Sequence, residues 1–165
     1  MANERQMVRP VHHDEVDQLA RLWFDGWRDA HERIVPAELT RLRTLDSFRD
    51  RLRAALWTVR AVGPRGGPIA FYMLKGEEIY QFYVSANARG TGLAATLIAD
   101  AEAHLASSGV AVAWLVCAIG NHRAARFYEK SGWRRAATVL SELQTPEGAF
   151  PLEVWRYEKV LNPER

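Results

Sequence analysis

The sequence contains a single cysteine, Cys117, among its 165 residues. One cysteine cannot form a disulfide within the chain, so no disulfide framework supports the fold. It lies in an apolar run, residues 112–119, where a free cysteine usually behaves as a small buried hydrophobic side chain. The histidines show no spacing with cysteine or with carboxylates that is typical of a metal site. We therefore expect no metal cofactor.

The sequence also lacks a large excess of one sign of charge and has no long apolar run. The formal net charge is +2, which is too small to indicate nucleic acid as the main partner. The densest basic stretch, residues 41–60, has apolar residues at helical spacing. A solvated helix face is the favoured interpretation, and an anionic docking surface is the alternative. No apolar segment has bilayer length or the position of a secretory signal, so we expect a cytoplasmic protein without a membrane partner.

The composition and the periodicity predict a folded α/β protein. With 48% hydrophobic and 25% charged residues, the chain is typical of one globular domain, residues 1–165. The predicted strands cover residues 6–11, 57–62, 69–75, 78–85, 110–119, 133–143 and 152–160, and the predicted helices cover residues 16–30, 45–56, 93–105 and 123–130. Hairpins joined to a strand–helix–strand crossover predict a mixed sheet covered by helices, in the α+β manner.

The turn after the fourth predicted strand is the most informative segment. Arg89, Gly90 and Gly92 directly precede a helix. Glycine lets the backbone approach a ligand closely, and the amides of a first helical turn favour an anion. With the cation of Arg89, the turn is suited to a pyrophosphate. The alternative is a glycine-rich loop that only caps the helix, since the turn matches neither Gly-x-Gly-x-x-Gly nor the Gly-Lys-Ser/Thr phosphate loop.

A second motif follows the apolar strand at residues 110–119. Together the two segments resemble the GNAT superfamily of acyl-CoA-dependent N-acetyltransferases. The family's turn, Arg/Gln-x-x-Gly-x-Gly/Ala, is met by Arg89, Gly92 and Ala94. Its second signature, Asn-x-x-Ala-x-x-Phe-Tyr followed by a Gly-aromatic pair, is met by Asn121, Ala124, Phe127, Tyr128, Gly132 and Trp133. The order of the predicted elements agrees with the family across nearly the whole chain.

The resemblance implies a fold and a cofactor. The fold is a central, mostly antiparallel twisted sheet of about seven strands, flanked by about four helices and splayed between strands 4 and 5. Acetyl-CoA would bind in that cleft. The implied cofactor-binding residues are Phe82, Tyr83, Val84, Arg89, Gly90, Thr91, Gly92, Leu93, Ala94, Asn121 and Phe127. Backbone at 82–84 would pair with the pantetheine arm and stabilise the oxyanion, and the amides at 90–94 would hold the pyrophosphate.

The resemblance also implies two catalytic residues. Tyr128 matches the tyrosine that protonates the CoA thiolate, and a phenol titrating near ~10 is a suitable donor; the alternative is packing beside Phe127. Glu78 matches by offset the strand glutamate with which histone-type members take the proton of the amine; the alternative is a solvated glutamate. Strand alternation places Glu78 on the side of Tyr80, Phe82 and Val84, unless a bulge alters the count.

The first two helices and the last hairpin are expected to form the acceptor pocket. Its candidate lining groups are Trp23, Trp27, His31, Glu32, Tyr80 and Phe150. Trp23 and Trp27 also belong to a helical core stripe. His31 is a further candidate base, since a histidine can titrate near neutrality; the alternative is a lone surface histidine without a role. Members that acetylate ribosomal-protein N-termini carry a glutamate five residues before the asparagine. Val116 occupies that position here, which argues against that activity.

The function implied by these residues is transfer of an acetyl group from acetyl-CoA to a primary amine by direct attack. The amine would belong to a small molecule, an amino acid or a peptide. The alternative is a sensor of acyl-CoA, or an interaction module, that uses the same fold without turnover. The final strands and the tail, residues 161–165, are a candidate surface for a homodimer.

Overall fold

The computed structural model of the protein describes residues 7–161. Its strands are β1 (Arg9–Pro10), β2 (Val59–Val62), β3 (Ala70–Lys75), β4 (Glu78–Val84), β5 (Val112–Ala118), β6 (Arg134–Thr145) and β7 (Gly148–Val160). Its α-helices are α1 (Val16–His31), α2 (Ala37–Leu42), α3 (Leu45–Ala54), α4 (Leu93–Ser107) and α5 (His122–Lys130). The predicted strand start at Gln6 and residues 162–165 of the tail lie outside the described residues. Within residues 7–161, none of the helices combines the length and the apolar character that crossing a membrane requires.

The strands form a single sheet that opens along one boundary. The seven strands run in the order β1-β2-β3-β4-β5-β7-β6. The β4–β5 pair is parallel and the other neighbouring pairs are antiparallel, which confirms the predicted mixed sheet. β4 and β5 share one register pair, Glu78 with Trp114, whereas β5 pairs with β7 along its whole length. The sheet therefore splays between strands 4 and 5, as expected.

A bulge in β4 changes which side chains share a face. Met73 of β3 pairs with Gln81, but its neighbour Leu74 pairs with Ile79, so Tyr80 is an extra residue on β4. After the bulge, Phe82 packs with the core beneath α4 and α5, while Tyr80 packs with the core beneath α1 and α3. The simple alternation that placed Tyr80 and Phe82 on one side is therefore wrong, because the extra residue reverses the count.

Two hydrophobic cores lie on opposite faces of the sheet. The apolar stripes of α1 and α3 include Trp23 and Phe48, which are fully buried against Phe71 of β3. On the other face, α4 and α5 cover Tyr72 of β3 and Leu115 of β5. Because both faces of the central strands are covered, their sequences are nearly continuously apolar.

Close packing of α1 on β4 fixes one wall of the cleft. A Cβ atom at Gly26 of α1 would lie 2.7 Å from Cδ1 of Tyr83 on β4. The absence of a side chain at Gly26 therefore lets the helix backbone lie directly against the tyrosine ring. Tyr83 also stacks on Phe71, with ring centroids 5.8 Å apart, so its position is set from two directions.

The helix α2 was not predicted. It lies between the predicted helices 16–30 and 45–56, and it begins where the carbonyl of Pro36 accepts from the amide of Leu39. Leu39 and Leu42 are the buried side chains of α2. Six residues contain too few turns for helical periodicity to be visible in the sequence, which explains why about four helices were expected.

Candidate active site

A cavity of about 320 Å³ occupies the cleft where β4 diverges from β5. Its walls come from α1, α3, α5, the two splayed strands and the β6–β7 hairpin. The lining side chains that carry chemistry include Glu78, Tyr80, Cys117, Asn121 and Tyr128. The fold thus brings both predicted catalytic residues to one cavity, although they are 50 positions apart in the sequence.

Glu78 lies at the closed end of the cleft, where β4 and β5 still pair. The residue is 7% exposed, so it is not the solvated glutamate of the alternative interpretation. Burial raises the pKa of its carboxyl, and the positive charges of Lys75 and Arg156 lower it by less, so the pKa moves from 4.5 to about 7. A carboxyl with this pKa exchanges its proton near neutral pH, as a general base requires.

Tyr128 of α5 lines the cavity and packs in an aromatic cluster. Its ring centroid lies 6.3 Å from that of Phe82 on β4 and 6.0 Å from that of Tyr157 on β7. Burial raises the pKa of the phenol above its ordinary value, and the nearby Cys117 and Tyr83 raise it further. The phenol is therefore protonated at neutral pH and available as a hydrogen-bond donor.

The glycine turn leads from the mouth of the cleft into α4. Gly90 and Gly92 have φ angles of 76° and 82°, a region that favours glycine. A Cβ atom at either position would meet no protein atom within 4 Å, so the turn faces open space rather than a packed neighbour. Within the described residues, no protein acceptor takes a hydrogen bond from the backbone amides of residues 90–95. These free donors and the positive end of the α4 dipole are the features that favour an anion at a helix N-terminus.

The chain matches one known protein family over more than half of its length. The model of the acetyltransferase (GNAT) family matches residues 16–133, which include α1, the glycine turn, β5 and α5. The chain belongs to the GNAT acetyltransferase family. It is therefore an acetyltransferase by family, and no curated protein matches it by sequence.

Solved structures of GNAT proteins share this fold. The GCN5-related N-acetyltransferase from Rhodopseudomonas palustris is 19% identical, with a TM-score of 0.73 over 93% of this chain and 94% of that one. The PaiA N-acetyltransferase from Thermoplasma acidophilum, in complex with coenzyme A, is 13% identical, with a TM-score of 0.71 over 93% and 98%. The ribosomal-protein-alanine N-acetyltransferase from Brucella melitensis is 16% identical, with a TM-score of 0.64 over 93% and 99%.

In this GNAT chain, Cys117 is both a core residue and a wall of the cavity. The side chain is 4% exposed, in agreement with the predicted buried role. Burial raises the pKa of its thiol to about 12, so the sulfur is protonated at neutral pH and is a poor nucleophile. Within the described residues, no three side chains among His, Cys, Asp and Glu form a group that could hold a metal ion.

Asn121 and Phe127, both predicted to contact the cofactor, have structural contacts of their own. The side-chain oxygen of Asn121 accepts from the amide of Ala124 at 3.3 Å and caps α5. Asn121 also lines the cavity. Phe127 stacks on Phe82 with centroids 5.6 Å apart, which ties α5 to the backbone of β4 that the family resemblance assigns to pantetheine.

Arg89, the cation of the glycine turn, is paired with a carboxylate. Asp29 on α1 accepts from Arg89 at 2.8 Å and from Arg123 in the first turn of α5 at 2.9 Å. Arg89, followed by Arg123, lowers the pKa of the Asp29 carboxyl. The carboxylate of Asp29 thus links α1, the glycine turn and α5 around the mouth of the cleft.

The predicted acceptor-pocket residues divide into two groups. Trp27, His31 and Tyr80 line the cavity. Burial lowers the pKa of His31 to about 4, so the prediction that it titrates near neutrality is wrong. The residues Trp23, Glu32 and Phe150 are absent from the cavity wall: Trp23 is fully buried in the core, Glu32 is paired with Arg28 on the surface, and Phe150 packs against the core beneath α1.

Two arginines of this wall were not predicted to lie there. Arg43 and Arg51 line the cavity, although the basic stretch 41–60 was interpreted as a solvated helix face. The available signal was the apolar spacing of Phe48 and Leu52, which places Arg51 beside the buried stripe of α3. The sequence carries no comparable signal for Arg43, which follows α2 and is 3% exposed.

Proposed function

We propose that this chain, as one domain of residues 1–165, is an N-acetyltransferase that moves an acetyl group from acetyl-CoA to a primary amine. The observation that carries the proposal is the meeting of Glu78 and Tyr128 in one cavity, at the split between β4 and β5. One is a buried carboxyl with a pKa of about 7 and the other a protonated phenol. Together they supply a proton acceptor and a proton donor for aminolysis of a thioester.

The proposed cofactor position follows the open edge of β4. The pantetheine arm would pair with the backbone of Phe82, Tyr83 and Val84, since beyond Glu78 this side of β4 has no register partner on β5. The pyrophosphate would accept from the amides of residues 90–94 and from Arg89. Asn121 and Phe127 would bound the arm on the α5 side. A fold shared with a protein whose structure contains coenzyme A supports this placement.

The proposed reaction is direct attack. The nitrogen of the acceptor bonds to the thioester carbonyl carbon as its proton passes to Glu78, directly or through a water molecule. A backbone amide near Phe82 or Val84 donates to the oxyanion that forms. The carbon–sulfur bond then breaks, and Tyr128 donates to the departing thiolate. The products are an N-acetyl amine and CoA. Because the Cys117 thiol is protonated, a cysteine acyl-enzyme is disfavoured.

The first experiment measures release of CoA thiol from acetyl-CoA across a panel of amines, with acetyl-CoA binding measured separately by calorimetry. We expect acetyl-CoA to bind and at least one amine to accelerate thiol release. Binding without turnover of any amine would support the sensor alternative. A protein that does not bind acetyl-CoA would contradict the proposal and the sensor alike.

A further prediction concerns Asp29, which neutralises the cation of the proposed pyrophosphate site. Replacing Asp29 with asparagine frees Arg89 and Arg123, so we expect acetyl-CoA to bind about 3- to 10-fold more tightly at low salt, and the gain to shrink as ionic strength rises. Calorimetric titration at two salt concentrations measures this. Asp25→Asn, one turn earlier on α1 and exposed, is the matched control. Weaker binding by the Asp29 variant would mean that the carboxylate holds Arg89 in place for the cofactor.

A further inference from the structure

Two arginine side chains that line the cavity have no carboxylate partner. Arg43 is 3% exposed; its Nη1 donates to the backbone oxygen of Gln144 on β6, and its Nε is buried without an acceptor. Arg51 on α3 donates from Nη2 to the hydroxyl of Tyr80 at 2.7 Å. Within residues 7–161, neither guanidinium makes an ion pair, and their hydrogen bonds go to neutral oxygens.

The neighbouring arginines of the same stretch are neutralised. Arg41 pairs with Glu38 and Glu147. Arg49 pairs with Asp17 and Asp46, and Arg53 with Asp50. These arginines lie on the surface, where an ion pair is easily formed. The surface arginines of this stretch therefore have carboxylate partners, whereas Arg43 and Arg51, which line the cavity, have none among the described residues.

The charges around the cavity show that the two arginines repel each other. Burial, followed by the charge of Arg51, lowers the pKa of Arg43 to about 10. His31 is neutral at pH 7, partly because Arg43 disfavours its charged form. Lys75, Glu78 and Glu142 also line the cavity, but neither glutamate pairs with Arg43 or Arg51. A buried guanidinium without a counter-ion is unfavourable for folding, and a bound anion would relieve that cost.

We propose that the acceptor amine also carries a carboxylate, which Arg43 and Arg51 hold while the amine lies beside Glu78. This inference rests on the proposed acetyl transfer and names its substrate class, a small amino acid. A guanidinium presents a planar pair of N–H donors that matches the two oxygens of a carboxylate. The same two positive charges repel a polyamine. The cavity volume of about 320 Å³ is at the small end for ligand pockets, which favours a small amino acid over a protein segment.

The substrate test compares each amino acid with its own amide. A series of ω-amino acids of increasing chain length, starting from glycine, is assayed by thiol release against the matching amino acid amides, aminoalkylphosphonates and a polyamine. We expect the best amino acid to exceed its amide in kcat/KM by about 30-fold or more, because the amide leaves both guanidinium groups without a counter-ion. The chain length of the preferred ω-amino acid then indicates the distance between the carboxylate site and the thioester.

The variant test removes the cations one at a time. In Arg51→Gln and Arg43→Gln, we expect KM for the preferred amino acid to rise about 30-fold, KM for acetyl-CoA to stay unchanged, and the preference over the amide to disappear. Arg51 is half-buried, so its variant tests the proposal even where loss of Arg43 impairs folding. Arg49→Gln, on the same helix but paired on the surface, is the matched control and should retain the preference.

The outcomes separate this inference from the proposed function. Thiol release that is equally fast with the amides, or faster with the polyamine, would overturn the carboxylate site and leave the acetyltransferase intact. A phosphonate that reacts better than its matching carboxylate would also overturn it, in favour of a phosphate-bearing acceptor. If no amine in the panel reacts, the acetyltransferase proposal fails, and titration of the free amino acids into wild type and Arg51→Gln then tests the anion site by itself.

Discussion

Replacing Tyr128 with phenylalanine is expected to lower kcat by about 10²- to 10⁴-fold, with the affinity for acetyl-CoA little changed. The substitution removes the hydroxyl and keeps the ring that packs against Phe82, Trp133 and Tyr157. Thiol release with a saturating amine measures kcat, and calorimetry measures the affinity. Because burial raises the pKa of this phenol, we also expect no decline of kcat that is due to Tyr128 below a pH of about 10.

Tyr157→Phe is the matched control for this prediction. Tyr157 belongs to the same aromatic cluster, and its hydroxyl accepts from Nε of Arg135 at 3.1 Å, but it is not part of the cavity wall. Loss of this hydroxyl should therefore leave kcat within a few-fold of wild type. An equal loss in the two variants would mean that Tyr128 acts through packing, as the alternative interpretation of the motif holds.

Replacing Glu78 with glutamine is expected to lower kcat/KM by about 10²-fold or more, because the amine then lacks its proton acceptor. In wild type, kcat/KM should rise with pH and level off above about 7, the pKa to which burial raises this carboxyl. The rise should be absent in the variant. An acceptor whose own pKa lies well below 7 must be used, so that the titration observed belongs to the protein.

Glu77→Gln controls for a general loss of negative charge at this end of β4. Glu77 is exposed and precedes Glu78 directly, so its replacement should change neither the rate nor the pH profile. If Glu78→Gln retains the wild-type rate and profile, the proton of the amine is taken by water or by another group. Tyr128 would then be the only side chain of the proposed pair that contributes to the reaction.

The Glu78→Gln substitution should increase the stability of the folded protein at high pH. The pKa of Glu78 rises from 4.5 to about 7 on folding, so the folded protein binds this proton more tightly than the unfolded chain. The stabilisation of the folded state by this proton is complete below pH 4.5 and is lost as pH rises through about 7. Above this range the free energy of unfolding of Glu78→Gln should exceed that of wild type by about 1–3 kcal/mol. Denaturant titrations at two pH values measure the difference.

The parts of the site that lie on short, continuous segments could be predicted from the sequence. The glycine turn needs only a strand end, two glycines and the start of a helix, and the structure has these at residues 84–93. Tyr128 falls inside a helix whose motif is contiguous, and its position in the cavity wall follows from α5 lying after β5. In both cases the local sequence determines the local backbone conformation. The order of the strands and helices then determines where that segment lies in the fold.

The parts that depend on packing could not be predicted. Arg43 resembles its solvated neighbours Arg41 and Arg49 in sequence, and only the close packing of α2, α3 and the β6–β7 hairpin buries it. A bulge in β4 was named as the exception to simple alternation, but the sequence does not mark its position at Tyr80, so the alternation gave the wrong faces for β4. The pKa of His31 depends on its burial in the folded chain, beside Trp27 and Arg43, and the local sequence does not show that burial.

The single register pair between β4 and β5 has a mechanical consequence. Two strands joined at one point form a wedge whose vertex is Glu78 with Trp114, reinforced by the amide of Trp114 donating to the carbonyl of Glu77 at 3.2 Å. When a wedge widens or narrows, points near its vertex move least and points at its mouth move most. The carboxyl thus sits at the pivot, while residues 82–84 swing through the larger arc. Opening the protein to admit or release a bulky thioester would leave the proposed base, Glu78, almost where it was.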